Sequence, residues 1–331
     1  VSSKAATLVC VAVVWFAGRL SGADAPRADI ANGLIRAGLY LPDPESGYYR
    51  ATRFDWSGVI SSLEYKGHSY FGPWSEKYDP KIHDAIMGPV EEFTTEGPGF
   101  GYEDAQPGGT FLRIGVGAVR RPAQPPVERF FTYDIIDHGR WTIQRGPDWI
   151  AFTHEVPPTA GYAYVYRKTV RLTKDKPELV LEHSLKNTGR HTISTSVYDH
   201  NFFVIDEQPS GPDFVVKFPF DAQADGDLKD ILELRDKQVR YRRKLEKNET
   251  VITPISGFGQ SARDYEIAVE NHKTGAGVKV TGDRPLTQVV FWSAPRVLSP
   301  EAYVSMKIAP GEVQTWRMAY EFYTLPTDET Q

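Results

Sequence analysis

Between Tyr162 and Leu172 the chain alternates with a period of two. Tyr162, Tyr164, Tyr166, Val170 and Leu172 share one face, interrupted only by Lys168. The other face carries Ala163, Val165, Arg167, Thr169 and Arg171 and turns polar halfway along. Residues two apart line one face of a strand, so the segment reads as a half-buried β-strand with its tyrosines inward. Similar signals recur at Leu179–Leu185 and, after the turn Lys186-Asn-Thr-Gly189, at Thr192–Val197. Tyr265–Val269, Gly277–Val280 and Gln288–Trp292 predict a meander, and Tyr303–Ile308, Pro310-Gly-Glu312 and Thr315–Tyr323 a closing hairpin. Helical periodicity is scarce. Ile30–Ala37 is the clearest amphipathic helix candidate. Asp227–Glu249 is helical by composition, but Val239, Tyr241 and Leu245 all fall on odd positions, which predicts strands turning at Asp236-Lys237. The Pro-rich stretch Arg121–Val127 reads as a surface loop. With Gly and Pro together at 52 of 331 residues, this is an all-β pattern of short strands and frequent turns, an antiparallel sandwich.

Lys4, the apolar run Ala5–Gly18 and Ala23-Asp24-Ala25 have the three parts of a secretory signal peptide. Arg19 cuts that run short of the roughly 20 apolar residues a membrane span needs. The expectation is export, to the periplasm or the extracellular space, with residues 1–25 removed and 26–331 forming a single β-sandwich domain without stable membrane insertion. The one cysteine, Cys10, lies in that leader, so the remainder has no thiol for a disulfide or a metal. The formal net charge is −5, and without the leader it is near −6, which argues against a nucleic-acid or anionic-membrane partner. No linker divides the chain, and repeats and low-complexity segments are absent.

The order of several motifs resembles the aldose 1-epimerase, or galactose mutarotase-like, family. Leu179–Leu185, the Asn187-Thr-Gly189 turn and Tyr198-Asp-His-Asn-Phe-Phe-Val-Ile205 match its central stretch, with His200, Phe202 and Phe203 in the places of its His and following aromatic pair. His272-Lys-Thr-Gly275 followed by Asp283–Trp292 is similar to the sheet ahead of its catalytic Glu, and Pro300-Glu-Ala-Tyr303, Pro310-Gly-Glu312 and Tyr320 to the end of its pattern. The resemblance runs from about Asp55 to Tyr323 and is closest from Tyr162 onward. It implies a galactose mutarotase-like supersandwich with a sugar cleft on one sheet face, no cofactor and no metal, and a small sugar or glycan end as partner.

Mutarotation needs a base for the anomeric hydroxyl proton and an acid for the ring oxygen, each within hydrogen-bond reach or one water away. By resemblance His200 is the acid and Glu301 the base. Tyr198 shares the His200 face, whereas Asp199 and Asn201 point the other way. His200 could also be a hydrogen-bonded histidine at a strand end, and Glu301 a solvated loop carboxylate. If Glu301 is partly buried beside Trp292 and Tyr303, its pKa rises to suit a base near neutrality. Two departures from the family stand out. Glu301 lies only nine positions before Pro310, so the family's loop there is either displaced or truncated, and truncation implies a cleft more open on that side. The family's first-half His, in a Leu-His-Gly-Gly-like segment, is missing from the nearest region, Gly101–Gly109. His83 either replaces it or is a surface residue. Arg53 and Asp55, in Tyr48–Trp56, either grip sugar hydroxyls or form a plain ion pair, while Trp292 offers a stacking face.

Other machinery is absent from the sequence: no P-loop or dinucleotide fingerprint, no nucleophile elbow, no His pair at zinc spacing and no calcium loop. Glu91 and Glu92 point to opposite faces if they lie on a strand, so they cannot flank one glycosidic bond. Beside the epimerase, two readings stay open: a non-catalytic carbohydrate-binding or envelope-glycan protein, and a sandwich related to polysaccharide lyases or hydrolases.

Overall fold

A computed structural model describes residues 24–326; the predicted leader lies outside that range except for Asp24 and Ala25. The described chain has no α-helix, and two large antiparallel sheets dominate it. The ten-stranded sheet runs in the order Leu232–Arg235, Gln238–Tyr241, Phe214–Lys217, Glu266–Asn271, Ala276–Gly282, Val313–Thr324, Glu178–Asn187, Tyr162–Leu172, Trp149–Thr159, Arg140–Arg145. The six-stranded sheet runs Gln223–Ala224, Val251–Ser256, Gln288–Ala294, Val297–Ile308, Ile193–His200, Val90–Thr94. Sheets of four and three short strands, from Arg27–Ser69 and Thr110–Asp137, complete the fold.

The tyrosine face of Tyr162–Leu172 does point inward. Tyr164, Tyr166, Val170 and Leu172 are buried in one core with Leu181, Phe291, Tyr320 and Ile308, drawn from both large sheets. Each large apolar side chain fully buried there contributes about 1.5–3 kcal/mol. The Asp236-Lys237 turn is also as read: both residues have positive φ, 52° and 63°, as a two-residue type I′ hairpin requires.

Three expectations fail. Ile30–Ala37 is not a helix but the turn of a hairpin between strands Arg27–Ala31 and Ile35–Tyr40, with Ile30 opposite Ala37. Asn32-Gly33 makes the turn: the Asn32 side-chain oxygen accepts from the Leu34 and Ile35 amides, and Gly33 takes φ +86°. The closing hairpin does not form either. Val297–Ile308 pairs within the six-stranded sheet, whereas Val313–Thr324 lies between Glu178–Asn187 and Ala276–Gly282 in the ten-stranded one. The Pro310-Gly311 turn therefore carries the chain across the sandwich. It is locked to the Asn187 turn, another crossing: the Gly311 amide donates to the Asn187 carbonyl at 2.9 Å, and the Asn187 amide to Glu312 at 3.0 Å. The third strand of the predicted meander likewise leaves its partners, because Gln288–Ala294 joins the six-stranded sheet.

Candidate functional site

The outward face of the six-stranded sheet forms the floor of a cleft of about 500 Å³. Alternation along each strand decides what reaches it. Ile193–His200 sends Val197 and Asp199 into the core and Tyr198 and His200 outward; Val297–Ile308 sends Ala302 and Val304 inward and Glu301 and Tyr303 outward. Their pairing sets Val197 opposite Val304. The same register carried on places Tyr198 beside Tyr303 and His200 beside Glu301. The two tyrosine rings stack at 4.2 Å, and His200 Nε2 lies 3.2 Å from Glu301 Oε1. Acid and base candidates are thus cross-strand neighbours from segments a hundred residues apart.

Glu301 is no loop carboxylate. It sits within a strand that continues to Ile308, is 4% exposed, and accepts the Tyr303 hydroxyl at 3.2 Å. Burial pushes its pKa up to about 8. His200 ends its strand because the chain turns at Phe202, which takes φ +44°. The imidazole packs on the Phe202 ring at 3.7 Å, edge-on to Trp292 at 5.0 Å, and its Nδ1 has no partner. Burial, then the nearby Arg53 charge, holds its pKa well below the usual histidine value. At neutral pH the pair therefore carries one proton, on the carboxyl, with a neutral imidazole.

Arg53 is sandwiched between the rings of Phe54 and Phe130, its guanidinium carbon 4.4 and 3.8 Å from their centroids. It donates from Nε to Glu92 at 2.8 Å, from one terminal nitrogen to Asp84 at 2.5 Å, and from the other to Tyr198 at 3.0 Å. Of the residues proposed from sequence, Arg53, Tyr198, His200, Trp292 and Glu301 line the cleft together. Asp55 does not. Two residues beyond Arg53 it turns into the core, where it accepts hydrogen bonds from the Ser57 hydroxyl and amide, so no Arg53–Asp55 ion pair exists. His83 stands outside the lining: its ring stacks on Phe130 and its Nε2 lies 3.1 Å from Asp84, whose carboxylate is the group that lines the cleft. Asp84, Glu92, Arg129, Phe130, Gln288 and Tyr303 were not proposed as site residues. The parity of strand Val90–Thr94 marks Glu92, since Tyr198 lies directly opposite it; nothing in the sequence marks Asp84 or Arg129, which reach the cleft from loops.

The core side of the same strands holds a second polar cluster. Glu91 accepts from Lys168 Nζ at 2.5 Å and contacts His183 Nε2 at 2.6 Å, all three buried. Burial raises the Glu91 pKa, but Lys168 and His183 outweigh it and hold the group down near 2. Burial and the Glu91 charge push Asp55 up to about 7 and Asp199 up to about 8. The Tyr320 hydroxyl lies 2.7 Å from Asp199 and 2.8 Å from the Asn201 side-chain oxygen, and Asn201 Nδ2 donates to the Pro300 carbonyl at 2.6 Å. This chain braces the backbones of both His200 and Glu301 from behind.

Asp55, Asp199 and Glu301 all keep protons in the folded protein that they release when unfolded. Their extra protons make stability fall as pH rises. The buried histidines His154, His183 and His200, all held below their ordinary 6.5, oppose this trend below that pH. Stability therefore falls with rising pH above about 6.5, where the carboxyls alone titrate. The expected result is a lower melting midpoint at about pH 9 than at about pH 7; a midpoint that rises over this interval would contradict the assigned protonation.

No family model matches the chain, and no curated protein matches it. Solved structures do. A protein from Synechocystis sp. PCC 6803 superimposes with a TM-score of 0.55 at 12% identity, covering 91% of this chain and 97% of its own. A galactose mutarotase-like protein from Lactobacillus casei gives 0.54 at 12% identity, with 90% and 100% covered. The chain has the galactose mutarotase-like fold. A galactose mutarotase related enzyme from Lactobacillus acidophilus gives a TM-score of 0.53 at 12% identity, covering 92% of this chain and 99% of its own. No loop follows Glu301 directly: the strand Val297–Ile308 carries the chain to within two residues of Pro310.

Proposed function

We propose that this cleft binds a sugar and interconverts its anomers by acid/base ring opening. The observation that carries the reading is the convergence of His200 and Glu301. The anomeric hydroxyl and the ring oxygen are attached to the same carbon, so acid and base must meet at one spot, and here they lie 3.2 Å apart. Trp292 supplies an apolar face for the sugar's C–H side, and Arg53, fixed by Glu92 and Asp84, a preorganised positive charge.

In the ring-opening step Glu301 as carboxylate takes the proton of the anomeric hydroxyl while imidazolium His200 gives one to the ring oxygen. The C1–ring-oxygen bond breaks and C1 becomes a carbonyl. The pair is left as neutral His200 and protonated Glu301. After rotation about C1–C2 the same groups act in reverse: His200 removes the proton from the ring hydroxyl and Glu301 protonates the former carbonyl oxygen. The resting protonation is thus the one that follows ring opening, and one proton shift across the pair restores the opening form.

The test is polarimetry of freshly dissolved α-galactose and α-glucose with and without the protein. Accelerated equilibration of either sugar is expected. Because the pair needs one proton to work, kcat/KM is expected to fall as pH rises through about 8. A rate that climbs through that pH would sink the one-proton scheme, and no acceleration would leave a binding protein on the same fold.

A further inference from the structure

A second cavity, of about 660 Å³, lies on the other side of the cleft's loop wall and is lined by Arg50, Lys81, Arg120, Thr132, Asp134 and His138, among others. Three chain segments border both spaces. Arg50 faces the second cavity and Arg53 the cleft, Lys81 the second and Asp84 the cleft, and Phe130 the cleft and Thr132 the second. These segments are stitched together: the Arg50 amide donates to Pro80, the Thr132 hydroxyl to the Lys81 carbonyl at 2.9 Å, and the Tyr133 amide to the Thr52 hydroxyl at 3.1 Å. The two cavities are therefore neighbours across one rigid wall.

The second cavity is cationic in a chain whose formal net charge is −5. Arg50 and Arg120 donate only to carbonyl oxygens, of Glu45 and Gly108, and among the described residues none of Arg50, Lys81 and Arg120 forms an ion pair. Arg50 Nε and His138 Nδ1 are buried with no hydrogen-bond partner. Arg50, Lys81 and Arg120 outnumber Asp134, the one carboxylate on the lining, and a buried guanidinium N–H without an acceptor is costly. Both are satisfied by an oxyanion, which a guanidinium can grip with two parallel bonds. Ile136, 44% exposed on the lining, offers an apolar contact for a sugar ring.

The geometry points to an oxyanion site in this second cavity, in which a carboxylate or phosphate carried by a sugar sits among Arg50, Lys81 and Arg120. The site lies outside the His200 cleft, so the inference stands apart from the reading of the cleft as a sugar site. Calorimetric binding tests it without relying on turnover. The probes are tri-galacturonate, its fully methyl-esterified counterpart and galactose 6-phosphate, offered to the wild type, to Lys81→Ala/Arg120→Ala and to His200→Ala. Both substituted cations are solvent-exposed, so the double variant is expected to keep the wild-type melting midpoint. At least one charged probe should bind the wild type about tenfold more tightly than the ester; tri-galacturonate doing so points to a carboxylate, galactose 6-phosphate to a phosphate. The double variant should lose that preference and His200→Ala keep it. No preference in the wild type, or a preference the folded double variant retains, overturns the subsite. Charge-selective binding without any anomer acceleration would leave the subsite standing and refute the epimerase reading instead.

Discussion

Lys168→Met is expected to cost about 3–5 kcal/mol of stability at pH 8, the scale for breaking a buried ion pair by removing one partner. Lys168 is the one ammonium in a dry cluster that holds Glu91, Asp55 and Asp199, and it is fully buried. Methionine keeps most of the stem volume, so the loss reports the charge rather than a cavity. Without the ammonium, Glu91 keeps only His183, whose own charged form is disfavoured by burial. A buried carboxylate left this way must take up a proton, so the penalty should shrink on going from pH 8 to pH 5. Denaturant midpoints at the two pH values give both numbers. A variant within about 1 kcal/mol of wild type at pH 8 would mean that the cluster is not held as an ion pair. The double change Glu91→Leu with Lys168→Met is expected to recover much of the loss, because an apolar pair of similar volume requires no desolvated charge.

Glu301→Gln is expected to reduce anomer interconversion by about 10²–10⁴-fold, the usual worth of a general acid or base. Glutamine keeps the shape and can still accept from the Tyr303 hydroxyl, but it can neither take nor give the proton that the step moves. The amide also needs no buried proton at neutral pH, so the variant should be at least as stable as wild type at pH 9, where the wild-type carboxyl must ionise in place. A slow and stable protein separates chemistry from folding. A variant that is fast would move the base elsewhere in the cleft, with Glu92 and Asp84 the nearest carboxylates to Arg53.

The strands were legible wherever one face alternates, as at Tyr162–Leu172, because period two follows directly from the pleat. Which sheet a strand joins was not. Asn187-Thr-Gly189 and Pro310-Gly-Glu312 have turn chemistry that suits a hairpin or a crossing equally, and the choice is made by partners far away in sequence. Ile30–Ala37 misled because eight residues straddling a turn can imitate helical spacing, although Asn32-Gly33 marks a hairpin. In the site, His200 and Glu301 were reached through the order of the motifs around them. Lys168 stood out as the one charge on an apolar face, and it proved to be the counter-ion of Glu91. Asp84 and Arg129 were invisible, since a loop residue has no parity to reveal where it points. Among the described residues His200 is the one histidine on the cleft lining; from the first half of the chain the lining takes Arg53, held by Asp84 and Glu92.

Proton NMR of the anomeric signals of a freshly dissolved α-sugar, followed to equilibrium with wild type and with His200→Ala, tests the acid/base pair most directly. The account predicts a faster approach with wild type and the uncatalysed rate with the variant, while both give the same melting midpoint to within a few degrees. Equal acceleration by the two proteins would contradict it, because no proton could then be passing through His200.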